Sequence, residues 1–268
     1  MKVVLMGTPS FVVPIFDAIA NRHEVVAVFT RAPKPVGRKH VITNSPVHDW
    51  AISRGFPVFH NPSTEYNFSP DMVVVIAYGA YLRENVLNSA PCINLHPSLL
   101  PRYRGASPIK TAIMNGDTES GVCLMQIAPE WDSGDILMCR KFDISIDDTN
   151  ETVEKRVAEI GTDMILEYMA TPDNFPPQPQ VGEPVYTAKI GAECEIIDWN
   201  KPAIEIHNLI RAIGGARTKI NGVDVKILKT KMRGDKLEIV EIQPAGKRPM
   251  DWKSFVNGLR GAEVKYGE

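Results

Sequence analysis

The sequence predicts an α/β protein in which a parallel sheet covered by helices is followed by a smaller antiparallel β domain. Apolar strand-like runs alternate with helix-like segments through the first half of the 268 residues, a proline-rich stretch follows, and hairpin-like strands occupy the remainder. Strands that are apolar throughout are expected where helices cover both faces of a parallel sheet. The predicted first domain is therefore a doubly wound, Rossmann-like sheet.

The elements of this first domain follow one another in a regular order. Strands are predicted at Lys2–Met6, Glu24–Thr30, Met72–Ala77, Cys92–His96 and Gly121–Ile127, with an extended segment at Gly134–Ile146. Helices are predicted at Ser10–Asn21, Pro46–Arg54, Leu82–Ser89, Pro108–Asn115 and Asn150–Ala170. The run of Val and Ile after Met72 indicates a strand buried on both faces, and the last helix has a single apolar stripe. Together they define a predicted domain of residues 1–171.

A proline-rich segment and a hairpin signal define the rest of the chain. The prolines of residues 172–184 are too dense for a helix or a central strand, so residues 172–189 are expected to form a linker. A helix is predicted at Lys201–Ile213, and Asn221-Gly222 between the strand-like segments Thr218–Ile220 and Val223–Lys231 indicates a type I′ turn. The smaller domain, residues 190–268, is expected to be an open β-barrel of the OB-like kind.

The composition is typical of a globular protein and shows no sign of a membrane segment or a metal site. The chain is 44% hydrophobic and 23% charged, which is typical of a soluble globular protein. No apolar run approaches the roughly 20 residues that span a bilayer, so no membrane association is expected. The four cysteines are far apart in sequence and form no Cys-x-x-Cys motif, which favours reduced thiols and no metal in a cytoplasmic protein. A monomer is the expected state.

The strongest chemical signal lies at the end of the strand Cys92–His96. Asn94 and His96 are two residues apart on that strand, so their side chains project from the same face. Singly, such residues are more often capping or hydrogen-bonding groups. A later polar cluster contains Asp132 and Asp135, and it could bring a carboxylate to the same place. An amide, an imidazole and a carboxylate together suit acyl transfer, in which a proton moves while charge develops on a carbonyl oxygen.

Basic residues are concentrated in two zones. Between Arg217 and Arg248 there are nine Lys and Arg against four Asp and Glu, although the whole chain has a formal net charge of −2. The loop Arg31–Lys39 contains four basic residues and no acid. Lysine-rich strands are often ordinary solvated edges, but two such zones on one chain indicate binding of a polyanion.

The strand–helix start also raises the possibility of a dinucleotide-dependent oxidoreductase. The first turn reads Gly7-Thr8-Pro9-Ser10 and lacks the Gly-x-Gly-x-x-Gly needed to cradle a pyrophosphate. That class is therefore excluded.

Several motifs resemble those of the methionyl-tRNA formyltransferases. They are Gly7-Thr8-Pro9, Gly37-Arg38, Val75-Ile76-Ala77-Tyr78-Gly79, Ser98-Leu99-Leu100-Pro101, Asp132-Ser133-Gly134-Asp135, Ile197-Asp198-Trp199 and Gln243-Pro244-Ala245-Gly246-Lys247. The resemblance runs from Met1 to about Gly258 and includes both predicted domains, with a C-terminal domain shorter than is usual. The Ser-Leu-Leu-Pro block is shared with other formyltetrahydrofolate-dependent transferases, whereas the Gly37 and Gln243 blocks point to the tRNA enzymes.

The resemblance implies a role for each motif. It implies transfer of the formyl group of 10-formyltetrahydrofolate to methionyl initiator tRNA, with Asn94, His96 and Asp132 as the catalytic groups. The implied folate-binding residues are Ser98, Leu99, Leu100 and Pro101. The implied tRNA-binding residues are Arg38, Lys39, Lys229, Lys231 and Lys247. Two alternatives stay open: a sugar N-formyltransferase acting on a nucleotide-linked amino sugar, and a folate- or RNA-binding regulator with an inactive site.

Overall fold

The protein forms two compact units that are each discontinuous in sequence. The computed structural model describes residues 1–37 and 40–267, with only the backbone at residues 192 and 193. The first unit consists of Met1–Arg104, Gly121–Lys141 and Glu154–Tyr186. The second unit consists of Gly105–Ser120, Phe142–Val153 and Thr187–Glu268. The predicted linear boundaries at residues 171 and 190 stay predictions.

The predicted strands and helices are all present in the predicted order, together with several short elements that were not predicted. The strands are β1 Lys2–Gly7, β2 Glu24–Phe29, β3 Lys34–Val36, β4 Val41–Thr43, β5 Val58–Phe59, β6 Met72–Ile76, β7 Cys92–His96, β8 Arg104–Gly105, β9 Glu119–Gln126, β10 Ile136–Asp143, β11 Tyr186–Thr187, β12 Ala216–Ile220, β13 Val223–Arg233, β14 Lys236–Pro244 and β15 Met250–Asp251. The α-helices are α1 Val13–Ala20, α2 Pro46–Ser53, α3 Pro62–Glu65, α4 Glu84–Leu87, α5 Pro108–Met114, α6 Asn150–Ala170, α7 Ala203–Ile213 and α8 Trp252–Gly258.

A seven-stranded sheet organises the first unit and confirms the predicted fold class. Its strand order is β10-β9-β7-β6-β1-β2-β5. The five strands from β7 to β5 are parallel, and β9 runs antiparallel to β7. The chain leaves β1 towards β2 and later returns to β6 on the other side of β1, so the strand order reverses at this point. Ligands of such sheets bind beyond the carboxyl ends of the strands at the reversal.

Close packing fixes the strand that bears the candidate site. Leu95 is buried on β7, and its side chain lies against Gly161 of α6. A Cβ atom at Gly161 would come within 2.4 Å of Leu95 Cδ2. The helix can therefore approach the sheet closely behind β7. This contact packs the face of β7 that bears Leu95, which is opposite to the face that bears Asn94 and His96.

Two of the four cysteines form a disulfide, which the sequence did not lead us to expect. Cys123 of β9 and Cys139 of β10 form a disulfide with a sequence separation of 16. The expectation of four reduced thiols was wrong for this pair, because two cysteines distant in sequence come together on neighbouring strands. Cys92 and Cys194 are free, and burial raises the pKa of the Cys92 thiol to about 11.

We expect the disulfide to contribute measurably to stability. Closing a loop of about 15 residues removes roughly 3 kcal/mol of chain entropy from the unfolded state. A variant with both Cys123→Ser and Cys139→Ser should therefore unfold at a lower urea concentration, with dithiothreitol lowering the midpoint of the wild type but not of the variant. Equal midpoints for oxidised and reduced wild type would contradict this expectation.

The second unit contains the predicted antiparallel domain. Strands β12, β13, β14 and β15 form an open sheet in that order, which α7 and α8 cover through an apolar core including Ile206, Ile227 and Phe255. Asn221 and Gly222 have φ angles of +48° and +75°, which confirms the predicted type I′ turn. Helix α7 begins two residues later than predicted, because Pro202 has an extended ψ of 143° and is the N-cap.

Buried hydrogen bonds connect α7 to the segment of residues 142–153, which lies about 60 residues earlier in the chain. The His207 ring lies 2.8 Å from Thr230 Oγ1 and 3.0 Å from the Ile146 carbonyl oxygen. Burial lowers the pKa of His207, so the neutral imidazole is favoured there. Arg211 donates to the carbonyls of Ser145 and Asp148. These bonds explain why residues 142–153 belong to the second unit.

Among the helices of the described residues, none combines the length and apolar character required to cross a membrane.

Candidate active site

Strand β7 brings two of the three predicted catalytic side chains to the carboxyl edge of the parallel sheet. Asn94 is half-buried and pairs with Met125 of β9, and His96 is 5% exposed and pairs with Cys123. The neighbouring Ile93 and Leu95 are buried against the core of the unit. The alternation of a strand therefore places the amide and the imidazole together, as the sequence predicts.

Asp132 completes the cluster although it is 36 residues beyond His96. Its Oδ2 lies 3.6 Å from His96 Nδ1, and its Oδ1 lies 3.5 Å from Asn94 Nδ2. The side chains of His96 and Asp132 are 6% and 12% exposed. These distances exceed those of ordinary hydrogen bonds, and catalytic hydrogen bonds are commonly long before substrates bind. The three groups meet in a site largely shielded from water.

A backbone carbonyl determines which nitrogen of the neutral His96 ring bears the proton. His96 Nε2 lies 2.9 Å from the carbonyl oxygen of Tyr103, which can only accept a hydrogen bond. Nε2 must therefore carry a proton. In the neutral ring the lone pair is then on Nδ1, which is the nitrogen that faces Asp132. The imidazole is thus oriented to take up a proton at the nitrogen nearest the carboxylate.

The turn that carries Asp132 has an unusual backbone. Asp132 has a φ of +49°, and a Cβ atom at Gly134 would lie 1.9 Å from the carbonyl oxygen of Gln126. Only glycine allows the turn to approach β9 so closely. Asp135 is the alternative carboxylate. Its backbone carbonyl accepts a hydrogen bond from Gln126 N of β9 at 2.9 Å, so this residue continues the strand pairing. The geometry therefore favours Asp132.

The predicted folate-binding loop follows directly after β7. Ser98 is fully buried, and its hydroxyl donates to the Arg102 carbonyl oxygen at 2.6 Å, so it stabilises the shape of the loop. Leu100 packs in a cluster with Cys123 and Met125. Leu99 lies against Gly121, where a Cβ atom would be 2.3 Å from Leu99 Cδ2. The loop therefore presents an apolar wall beside the strand that bears His96.

A cavity of about 360 Å³ lies where the strand order reverses. Its lining includes Thr8 after β1, Arg31 after β2, and Ala77 and Gly79 after β6. Arg31 donates through Nη2 to the Gly79 carbonyl oxygen and so connects two of these strand ends. The cavity is the ligand position expected for this type of sheet.

The predicted tRNA-binding residues are only partly described. Arg38 and Lys39 lie outside the described residues. Lys229 and Lys231 are exposed on β13, and Lys247 is exposed in the turn after β14. Each of the two strand lysines pairs in register with an acidic residue of β14, Glu241 for Lys229 and Glu238 for Lys231. This pairing reduces the net positive potential of that face.

Three groups that shape the site could not be assigned to it from the sequence. They are the carbonyl of Tyr103, the side chain of Arg31 and the side chain of Gln180, which is hydrogen-bonded to the Asp132 turn. A backbone carbonyl has no sequence signature, and the prolines around Gln180 indicated only a linker. The sequence marks Arg31 only as part of a basic loop that indicates binding of a polyanion.

No group of three or more His, Cys, Asp and Glu residues that could hold a metal ion is found in the described part of the chain.

The fold and the site define a class of protein. A half-buried amide, a buried imidazole of fixed tautomer and a shielded carboxylate at the carboxyl edge of an α/β sheet are the groups of an acyl-transfer enzyme.

Comparison with known proteins narrows this class. Residues 1–169 match the formyl transferase family, and residues 189–236 match the formyl transferase C-terminal domain. A methionyl-tRNA formyltransferase of Cereibacter sphaeroides is 38% identical, with 97% of this chain and 96% of the relative aligned. That of Paracoccus denitrificans is 37% identical over 97% of this chain and 98% of its own length. The chain therefore belongs to the methionyl-tRNA formyltransferase family.

Solved structures show the same fold at greater sequence distance. A methionyl-tRNA formyltransferase from Clostridium thermocellum superposes with a TM-score of 0.67 at 18% identity, covering 91% of this chain and 98% of that one. A sugar 3N-formyl transferase superposes with a TM-score of 0.68 at 20% identity, covering 92% and 99%. The Cereibacter alignment of 291 positions is longer than this chain of 268 residues, so that relative contains insertions which this chain lacks.

Proposed function

We propose that the protein transfers the formyl group of 10-formyltetrahydrofolate to the α-amine of methionyl initiator tRNA. The convergence of Asn94, His96 and Asp132 at the carboxyl edge of the sheet is the observation that carries this proposal. It is supported by relatives named methionyl-tRNA formyltransferase that align with 97% of the chain. It is also supported by structural neighbours solved with 5-N-formyl-THF or tetrahydrofolic acid.

His96 is the proton-transfer group of the proposed reaction. The neutral methionyl amine attacks the formyl carbon on N10 of the folate, and His96 Nδ1 takes up the proton that the amine loses. His96 then delivers that proton to N10 as the carbon–N10 bond breaks, which yields formyl-methionyl-tRNA and tetrahydrofolate. An imidazole is suited to both steps because it exchanges protons near neutral pH. Asp132 stabilises the imidazolium between the two steps.

Asn94 stabilises the developing oxyanion. When the amine adds, the formyl oxygen acquires negative charge, and the Asn94 Nδ2 group donates a hydrogen bond to it. A donor aimed at such an oxygen in a shielded site is typically worth about 3–4 kcal/mol of the activation barrier. The apolar loop of Leu99 and Leu100 keeps water from this oxygen and lines the folate side of the site.

The runner-up is formylation of a nucleotide-linked amino sugar. The same catalytic groups serve that reaction, and sugar formyltransferases share the fold at about 20% identity. The higher identity to the tRNA enzymes and the basic stretch between Arg217 and Arg248 favour tRNA.

One assay separates the two acceptors. The protein is incubated with 10-formyltetrahydrofolate and with charged initiator methionyl-tRNA, charged elongator methionyl-tRNA or a dTDP-linked amino sugar. Formylation of the initiator tRNA alone is expected. Formylation of the sugar with no product on either tRNA would overturn the proposal.

We further propose that Arg38, Lys39, Lys229, Lys231 and Lys247 contact tRNA phosphates. Because each phosphate contact releases counterions, Arg38→Ala should weaken tRNA binding and lower the slope of log Kd against log salt by about 1. Arg22→Ala is the matched control, since Arg22 is an exposed arginine beside the amino end of β2, away from the carboxyl edge of the sheet that bears Asn94 and His96. A slope for the Arg38 variant equal to those of the control and the wild type would remove Arg38 from the interface.

A further inference from the structure

Gln180 makes a set of hydrogen bonds that a passive linker would not require. Its Nε2 donates to the carbonyl oxygens of Asp132 at 2.8 Å and Gly134 at 2.9 Å. Its Oε1 accepts from Arg104 Nε at 3.0 Å and Nη2 at 2.6 Å. A carboxamide has two N–H donors and an oxygen with two lone pairs, so these four bonds use all of its capacity.

The orientation of this amide is determined by its partners. The Arg104 guanidinium can only donate, so the amide oxygen must face it. The amide nitrogen must then face the Asp132 turn, where both partners are carbonyl oxygens that can only accept. Arg104 is 9% exposed, which makes it a fixed anchor. Among side chains of this length only glutamine satisfies both sides, because glutamate has no donor for the carbonyls and leucine has neither group.

The surrounding segment is fastened to the same part of the first unit. Gln178 and Ile136 exchange two backbone hydrogen bonds, at 2.8 and 2.9 Å, just beyond the Asp132 turn. On the other side of Gln180, Val185 N donates to the Pro101 carbonyl at 3.2 Å, and Arg104 N donates to the Val185 carbonyl at 2.8 Å. The proline-rich chain is therefore held on both sides of Gln180, from the Asp132 turn to the Ser98–Pro101 loop.

The turn that Gln180 holds is the one that aims the Asp132 carboxylate. Asp132 combines a left-handed backbone with a side chain that points to His96 Nδ1 and Asn94 Nδ2. Gln180 binds the backbone of the same residue from outside the catalytic cluster. Losing both donors would free the two carbonyls to rotate, and the carboxylate would move with the backbone of its own residue.

We propose that Gln180 is a positioning residue for formyl transfer: it fixes the Asp132 turn so that the carboxylate stays within reach of the His96 imidazole. The inference rests on the proposed function and adds a residue outside the three catalytic groups. A displacement of about 1 Å at a reacting group can cost about 100-fold in rate. Gln180 therefore acts on kcat through Asp132 and leaves substrate binding largely unchanged.

The test compares Gln180→Leu and Gln180→Glu with Gln178→Leu in the formylation assay. Gln178 is an exposed glutamine of the same segment whose side chain has one long bond, 3.4 Å to the Pro176 carbonyl. Both Gln180 variants should lose about 10- to 100-fold in kcat with KM for folate and tRNA unchanged, and Gln178→Leu should match the wild type. Gln180→Glu keeps a partner for Arg104, so it remains informative if Gln180→Leu fails to fold.

Three results would overturn the positioning role. The first is a wild-type kcat in both Gln180 variants, and the second is a normal kcat in Gln180→Glu beside an impaired Gln180→Leu, which would assign the loss to Arg104. The third is a full multiplicative loss when Gln180→Leu is added to Asp132→Asn, since a residue acting through Asp132 should have little effect once that carboxylate is gone. No formylation by the wild type would instead refute the proposed function.

Discussion

Replacing His96 by alanine is expected to lower kcat for formyl transfer by about 100- to 10,000-fold, the usual contribution of a general acid–base group. The buried imidazole is the group whose Nδ1 lone pair is turned towards the reacting centre, because Nε2 is committed to the Tyr103 carbonyl. Without it the attacking amine has no positioned base and N10 has no positioned acid. Single-turnover formylation with bound tRNA is the measurement, because it separates chemistry from product release.

Two controls make this result specific. His23→Ala alters a half-buried histidine that precedes β2, at the opposite edge of the sheet, and should leave turnover unchanged. Binding of methionyl initiator tRNA should persist in His96→Ala, since the basic residues are untouched. A His96 variant with wild-type single-turnover rates would exclude the imidazole from the reaction.

The parts of the site that could be predicted from sequence are those fixed by local periodicity. Asn94 and His96 are on a five-residue strand whose predicted and observed bounds coincide, so their common face follows from alternation alone. The helix Asn150–Ala170 is likewise as predicted, because its apolar stripe and its length leave no other element type.

The contributions that could not be predicted depend on contacts between distant segments. Gln180 lies 48 residues beyond Asp132, and the density of proline around it indicated only a linker. Extended chain with few N–H donors can still present carbonyls and side chains to a neighbouring turn. Cys123 and Cys139 were misjudged for the same reason, since the pairing of β9 with β10 is not visible in cysteine spacing.

Asp132→Asn is expected to lower kcat by about 100-fold or more, whereas Asp135→Asn should have little effect. An amide at residue 132 removes the negative charge that stabilises the imidazolium, and its N–H group can donate to His96 Nδ1, which occupies the lone pair needed for the amine proton. The same substitution at Asp135 leaves the backbone bond to Gln126 in place and lies outside the His96 contact. Single-turnover rates of the two variants, compared at equal occupancy by tRNA and folate, give the answer. If the Asp135 variant is the impaired one, the carboxylate that assists His96 is that of Asp135. If both variants are active, the imidazole works without an anionic partner.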